Sequence, residues 1–511
     1  MSRALREKLL ETSDFLIGVE LVSVRGSMAE SRAVKARDFA AQLAASPRVD
    51  WVSVTDNAGG NPQLAPMTLG KPMLYAGKEV VIHLTCKDLN RNGLESAAWQ
   101  LSSEGFHNVL AMTGDYPTGG SEGRAKPVFD IDSVGLIALL DRMNGGLDAR
   151  YQQTQFLIGA VVSNSKRHEG EVVPQYLKLE KKVAGGARFV INQVNYDARK
   201  AGELRLYMDH HGMRATPLIG NVFLLSARIA RMFAARQIPG VIVTAPLLEA
   251  CERAAGSADK GQAFFRELAA KQVAIYRGLG YRGAYLGGIH DIETIDAVLD
   301  LAASYAPGDW RAFARELRYA QDGEFYFYDD DLSEGPVAAP RRAVHGWPPA
   351  AGHDTGLAYS ASKWIHDLMF TPGHLLNDWG TRVSAAADDP AQGPPLLRAL
   401  EHASKAVLFG CQDCGDCSLP DIAFLCPESR CAKNQRNGPC GGTRDGRCEV
   451  DGYGDCIWLR AYGRLKAEGR ERALLAHAPV VQNQGLRGTS SWANHWLGKD
   501  HGAKKNGGGH A

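Results

Sequence analysis

Most of this chain has almost no cysteine. Of ten cysteines in 511 residues, only Cys86 and Cys251 lie outside the block from Cys411 to Cys456. No apolar run is long enough to cross a bilayer as a helix. Neither sign of charge prevails: 58 Lys and Arg against 57 Asp and Glu leave a net charge of +1. A nucleic-acid partner would favour a concentrated basic face, so none is expected. The N-terminal "MSRALREKLLETSDFLIG" alternates charged with apolar residues and lacks the apolar core of a secretory signal. These absences predict a cytoplasmic protein with no membrane partner. In a reducing compartment, clustered cysteines are thiols or metal ligands rather than disulfides. No Gly-rich dinucleotide fingerprint follows a strand. No repeat is visible beyond a strand–helix rhythm.

That rhythm fills the first three hundred or so residues. Short apolar runs at 15–21, 49–55, 79–85, 108–114, 156–162, 188–194, 216–222 and 283–289 read as strands. Amphipathic stretches lie between them. "SRAVKARDFAAQLAAS" places Val34, Phe39 and Leu43 near one face, and "NGLESAAWQLSSEG" and "VPQYLKLEKKVAGGA" behave similarly. Near-continuous apolar strands alternating with helices imply a parallel sheet covered on both sides. Eight such units fit an α/β fold of the (β/α)8 TIM-barrel type, with an open doubly wound sheet as the alternative. "GVIVTAP" (240–246) reads as part of a long loop and helix after the seventh strand. The expected organisation is a barrel over 1–305, a connector with helices over 306–400, an irregular, mainly helical cysteine-rich metal-binding domain over 401–480, and a tail over 481–511 disordered at its end. One helix is expected through "IWLRAYGRLKAEGRERALLAHAP".

Barrel active sites gather where the strands end. The polar residues there are Glu20, Thr55 with Asp56, His83 with Thr85, Asp115, Ser163 with Asn164, Gln193, Asn221 and His290. A carboxylate inside an apolar rim can have its pKa raised and act as a general acid; its ordinary alternative is to cap a helix or pair with a cation. Gln193 can read the edge of a heterocycle or satisfy loop backbone. Lys181 and Lys182 could meet a phosphate or form a solvated helix face. His210, His211 and His290 read as near strand ends and not as metal ligands.

The cysteine block has a stronger signature. Its spacing is Cys411-x2-Cys414-x2-Cys417-x8-Cys426-x4-Cys431-x8-Cys440-x7-Cys448-x7-Cys456. The C-x2-C-x2-C triplet and the Cys426-Pro427 pair match parts of a ferredoxin-type run with a longer spacer. Structural zinc needs four tetrahedral ligands, and the block could hold up to two such sites. An iron–sulfur cluster, of the [4Fe-4S] type, is the first expectation and zinc the alternative.

The strand-end motifs resemble the methylenetetrahydrofolate reductase family over about residues 10–305. The matching segments are "GVELVS", "VSVTDNAGG", "HLTC", "NVLAMTGDYP" and "LEKKVAGGARFVINQVNYD", in that order. The resemblance implies a flavin on the barrel rim, FAD by default with FMN as alternative, and a folate substrate. It implies that Glu20 is the general acid opening the methylene bridge, that Asp115 sits near flavin and pterin, and that Gln193 binds the pterin edge. Thr55, His83, Gly114, Asp115, Phe129 and Lys182 are the implied flavin contacts. The activity implied is an oxidoreductase interconverting 5,10-methylene- and 5-methyltetrahydrofolate, with NAD(P)H or a reduced iron–sulfur partner protein as donor. A flavin-free barrel handing a methyl group to a corrinoid or other acceptor is the alternative. Three positions depart from the family pattern: "ELVSVRG" lacks its prolines, Thr113 replaces an Arg and Glu180 a Lys. Beyond the barrel, "CQDCGDC", "LCPESRC", "NGPCGG" and "CEVDGYGDCIW" resemble the cysteine-rich C-terminal module of certain members. A homo-oligomer is compatible with the sequence.

Overall fold

The computed structural model describes residues 4–120, 122–235, 237–238, 240–328, 355–476 and 479–502. Residues 329–354 of the expected connector and the end of the tail (503–511) lie outside the described residues. Eight parallel strands close in sequence order: β1 (Leu16–Leu21), β2 (Trp51–Val54), β3 (Glu79–Thr85), β4 (Asn108–Met112), β5 (Leu157–Val162), β6 (Phe189–Asn192), β7 (Leu218–Phe223) and β8 (Gly283–Gly287). Pairing of Leu16 with Gly283 completes the ring and excludes the open sheet. Helices separate the strands, giving the expected (β/α)8 barrel. "GVIVTAP" forms no strand; it leads into the helix Ala245–Ala255.

The strands are apolar on both faces because both are covered. Outward residues such as Val19, Val52 and Ile82 pack beneath the helices, which contribute Phe39, Leu43, Leu94 and Leu136. Inward residues form a separate cluster of Leu16, Trp51, Leu110, Leu157, Phe189, Ile219 and Tyr285. Large rings fill this interior only where glycine faces them. A Cβ on Gly18 would lie 2.2 Å from the Trp51 ring, and one on Gly159 would lie 2.3 Å from the Phe189 ring. Leu5 and Leu9, on the helix Leu5–Glu11, join the inner cluster. They come from the end where the strands begin, since Arg282, just before β8, donates to the Lys8 carbonyl. The barrel is therefore plugged at that end, and its open mouth is at the strand C-termini.

After the barrel come the helices Leu357–Phe370, Leu375–Ala385 and Pro395–Phe409, then the cysteine segment, and then Ile457–Ala467. Gly410 ends Pro395–Phe409 at a φ of 64°, delivering the chain into the first cysteine. The single helix expected from residue 457 onward is broken. It stops at Ala467, Gly469 turns at a φ of +65°, and a 3-10 turn runs from Glu471 to Leu475. Gly469 supplies the left-handed conformation that a helix interior does not use. The helix Ile457–Ala467 packs on the barrel helix Glu169–Ala184, where the Tyr462 hydroxyl donates to Glu169 at 2.7 Å. No described helix is long and apolar enough to cross a membrane.

The glycine–ring contacts give a direct test. Gly18→Ala and Gly159→Ala should each destabilise the protein by about 1–3 kcal/mol through overpacking. This should appear as a lower denaturant midpoint at unchanged m-value. An unshifted midpoint would mean that the rings can move aside.

Candidate active site

Side chains alternate across a strand, so each strand sends every second residue into the barrel. Glu20 follows Leu16 and Gly18 in this parity, Ser53 and Thr55 follow Trp51, His83 and Thr85 follow Val81, and Gln193 follows Ile191. Asn221 follows Ile219. The same periodicity that fills the interior with apolar groups thus brings the polar ones to the mouth.

Glu20 is half-buried on β1. The Tyr285 hydroxyl, from β8, donates to its Oε1 at 3.4 Å. Tyr285 in turn shares a short hydrogen bond with Ser53, which meets His83 Nε2 at 3.0 Å. Burial raises the Glu20 pKa from 4.5 to about 7, and the Tyr285 bond offsets only part of this. Burial lowers the His83 pKa to about 4, so the imidazole is neutral at pH 7. One ionisable carboxyl poised near neutrality therefore heads a chain of uncharged donors and acceptors. Tyr285 and Ser53 were legible from strand parity but were not singled out in the sequence.

Asp115 and Gly114 lie on the turn after β4. Gly114 has a φ of +87°, and a Cβ there would come within 3.0 Å of both Thr85 and Lys87, so glycine is needed for this close approach. Asp115 accepts from the Gly59 N–H at 2.8 Å, tying the turn to the loop after β2. Phe129 is buried, 6.3 Å from the Tyr116 ring. Thr55 Oγ1 accepts from Ser23 N–H at 3.0 Å. Asp56 takes the Thr85 hydroxyl at 2.6 Å, and its pKa is raised by burial despite that bond. Gln193 is half-buried. It accepts from Val194 N–H at 3.0 Å, and its Nε2 lies 3.1 Å from the position a Cβ on Gly240 would take.

Other candidates fall elsewhere. Lys182 is buried, and its ammonium donates to the Val161 carbonyl in electrostatic contact with Lys178, Asp132 and Cys86. Burial and Lys178 lower its pKa to about 7. Lys181 is buried as well, so neither lysine forms a solvated face. His210 ends the helix Ala198–His210, and His211 is its cap. His211 stacks on Tyr207 at 3.8 Å. Both histidines therefore lie at the helix end, before β7 begins, and not at a strand C-terminus. His290 is exposed.

The cysteine segment lies against the mouth. Lys166 donates to the carbonyls of Gly441 and Thr443, at 2.6 and 2.5 Å. Gln175 donates to Cys440 O at 2.6 Å, and Lys178 to Gly438 O and Pro439 O at 3.0 and 3.1 Å. Buried Asp132 accepts from Asn437 N and Nδ2 at 2.9 and 3.1 Å, while also capping the helix Ser133–Gly145. Lys433, also buried, donates to Gly114 O at 2.9 Å and pairs with Glu449. None of the bonds between the segment and the barrel carried a signal in the sequence, since they join residues 260 to 319 positions apart.

The eight clustered cysteines sort into two sets by their electrostatic neighbours. Cys411, Cys414, Cys417 and Cys426 form one. Cys431, Cys440, Cys448 and Cys456 form the other. Among the described residues, no group of three or more His, Cys, Asp or Glu is arranged to hold a metal ion as it stands. The donor chemistry nonetheless fits one. Backbone N–H groups point at sulfur from Asp413 to Cys411, Gln435 to Cys431 and Val450 to Cys448, at 3.4 to 3.5 Å. All four cysteines of the second set line one small cavity. Burial raises the Cys414 and Cys431 thiols to about 12, which opposes free thiolates in the absence of a cation.

A parallel (β/α)8 barrel with a carboxyl at its mouth and a cysteine-rich helical region on its rim is the class of protein these features define. Residues 6–270 match the family model of methylenetetrahydrofolate reductase, and the chain belongs to that family. Residues 395–484 match the model described as the methylene-tetrahydrofolate reductase C terminal. Among solved structures, an uncharacterized Clostridium thermocellum protein that binds two copies of 5-methyl-5,6,7,8-tetrahydrofolic acid is 12% identical, with a TM-score of 0.43 over 58% of this chain and 97% of its own. Oxaloacetate acetylhydrolase with 3,3-difluorooxalacetate is 10% identical, with a TM-score of 0.35 over 58% and 82%.

The Glu20 shift predicts a pH dependence of stability. Below pH 4.5 the carboxyl is protonated in both folded and unfolded chains. As pH rises from 4.5 to 7 the unfolded chain ionises first, so the folded state loses stability. Above pH 7 the loss levels off at about 3 kcal/mol. Glu20→Gln, which cannot ionise, should therefore melt higher than the parent at pH 8 and close to it at pH 4.5. Parallel melting curves across this range would refute the shift.

Proposed function

We propose that the chain is a flavin-dependent reductase interconverting 5,10-methylenetetrahydrofolate and 5-methyltetrahydrofolate. The observation that carries this reading is Glu20: a carboxyl with a pKa of about 7 at the mouth of a barrel of this family. A general acid works best when its pKa lies near the working pH. A bound reduced flavin would supply hydride to the carbon that becomes the methyl group. This chain's residues supply the rest. Glu20 gives its proton to a nitrogen of the methylene bridge, so that the bridge opens and the carbon becomes electrophilic. Tyr285 holds the Glu20 carboxyl in place through its hydroxyl. Neutral His83 and Ser53 present hydrogen-bonding groups without adding charge. Gln193 offers an amide for the pterin edge. Asp115, on the turn braced by Gly59, faces the same rim.

The flavin fits the rim in part. Gly114 brings bare backbone close to Thr85 and Lys87, Thr55 and His83 stand at the ends of β2 and β3, and Phe129 lies beside Tyr116. Lys182 stands apart and enters no contact with these residues in the hydrogen bonds it makes. Each cysteine set would hold one metal centre, iron–sulfur in the first reading and zinc in the second. The C-x2-C-x2-C triplet and Cys426-Pro427, which favour iron–sulfur, fall together in the first set.

Purified protein should be yellow and should oxidise 5-methyltetrahydrofolate with an artificial acceptor. Glu20→Gln should retain flavin and lose about 10²–10⁴-fold of folate turnover, as loss of a general acid does. In the direction that needs the acid form, wild-type rate should fall as pH rises through 7. Folate binding without flavin would instead favour methyl transfer to an acceptor.

Metal analysis should find both cysteine sets filled. Stripping the metal should cost the module its helical circular-dichroism signal, because metal binding energy is folding energy in such segments. An unchanged spectrum after full removal would rule out that role.

A further inference from the structure

The candidate site draws on a residue that the barrel does not contain. Lys433 stands two positions after Cys431, on a tight turn where Asn434 has a φ of 42° and Gln435 N–H points at the Cys431 sulfur. The turn is fixed from several sides. Trp458 donates to Gln435 O at 3.1 Å, Lys178 donates to Gln435 Oε1 at 2.8 Å, and Asn437 is held by Asp132. Lys433 itself is about 5% exposed, too little for solvent to hold its charge. Its ammonium donates to Gly114 O, pairs with Glu449 and lies 5.9 Å from the centre of the Phe129 ring. Asp115 is among its electrostatic neighbours. Gly114, Asp115 and Phe129 are three of the rim residues implied in the flavin and folate site. One side chain from the cysteine module therefore touches Gly114 and Phe129 and acts electrostatically on Asp115.

A buried ammonium is stable only with acceptors and counter-charge. Lys433 finds its acceptor in the barrel turn and its counter-charge in Glu449, which follows Cys448. The second cysteine set thus brackets the ion pair: Cys431 is two residues from its cation, and Cys448 is next to its anion. Anything that fixes these two cysteines also fixes the ammonium against the turn.

We propose that the cysteine module completes the barrel site by contributing Lys433, a positioning residue that holds the Gly114–Asp115 turn and places a permanent positive charge beside Asp115. The charge is shared between its direct partner Glu449 and the carboxylate at the rim. It also favours the more negative, reduced form of a flavin bound there. This last consequence rests on the flavin reading above; the hold on the turn does not.

The test uses full-length protein with its metals in place. Lys433→Met and Lys433→Arg are compared with the parent. Lys433→Met should keep its metal content, yet amide hydrogen exchange over residues 113–118 should accelerate at least tenfold while exchange in the strands is unchanged. In flavin-loaded protein, the flavin midpoint potential should become more negative and kcat with 5-methyltetrahydrofolate should change more than KM. Lys433→Arg keeps the charge and should recover most of the exchange protection and of the potential. If exchange over 113–118 is unaltered in Lys433→Met, the positioning role is overturned. If exchange accelerates but the potential and kcat stay at parental values, the electrostatic role is overturned. Because exchange is measured with and without flavin, a parent that never takes up flavin overturns the function reading and leaves the exchange result to decide the fate of Lys433.

Discussion

The buried carboxylate of Asp132 is the contact on which the arrangement of the whole molecule turns. It caps the helix Ser133–Gly145 by accepting from the N–H groups of Val134 and Gly135, and it accepts two further bonds from Asn437. Lys178 stands 3.9 Å away. Burial alone would raise its pKa, but Lys178 and these hydrogen bonds outweigh that and hold it below the ordinary carboxylate value. An ionised group this well satisfied is costly to disturb, because losing a partner leaves a buried charge unmatched. One carboxylate therefore sets both a barrel helix and the position of the 435–443 loop over the mouth.

From that anchor the rest follows in order. The loop lays its carbonyls over Lys166, Gln175 and Lys178, all on or near the start of the helix Glu169–Ala184. Lys433, just ahead of the loop, reaches the Gly114 carbonyl. On the barrel side, closure leaves inward polar residues only one place to be: the mouth opposite the Leu5 and Leu9 plug. Burial there raises the Glu20 pKa to about 7, and the Tyr285 hydroxyl bonded to it offsets only part of the rise. Loops on a rigid scaffold carry the site, as is usual for this architecture.

The sequence was most readable where local periodicity decides the outcome. Apolar runs marked all eight strands, and parity along them marked Glu20, Thr55, His83 and Gln193 as inward. It was least readable where the partner lies far along the chain. Lys182 sits on a helix whose buried face extends much further than its hydrophobic stripe, so its side chain turned under the sheet towards Val161. Asp132 looks like any helix cap, and Lys433 like any charge between cysteines. The partners that join module to barrel, Asn437 for Asp132 and Gly114 for Lys433, are about three hundred residues away, and no local pattern encodes them. The helix expected beyond residue 467 failed for a local reason: a single glycine at a positive φ turned the chain.

The two cysteine sets follow chain order, and this limits how they can act. The helix Pro427–Arg430 is all that separates Cys426 from Cys431. At about 1.5 Å of rise per helical residue, the two Cα atoms are on the order of 8 Å apart. The first set is held from the outside. Lys405 and Glu401, on the helix Pro395–Phe409, bond with Ser491, and Asp416 bonds with His501 near the end of the described chain. The second set is held by the barrel rim. Only a short helix in the chain thus stands between the cysteines bound to the rim and those bound to the helix Pro395–Phe409. The second set is thereby tied, through Lys433 and its ion pair with Glu449, to the turn that carries Asp115, whereas the first is tied to the last described residues of the chain.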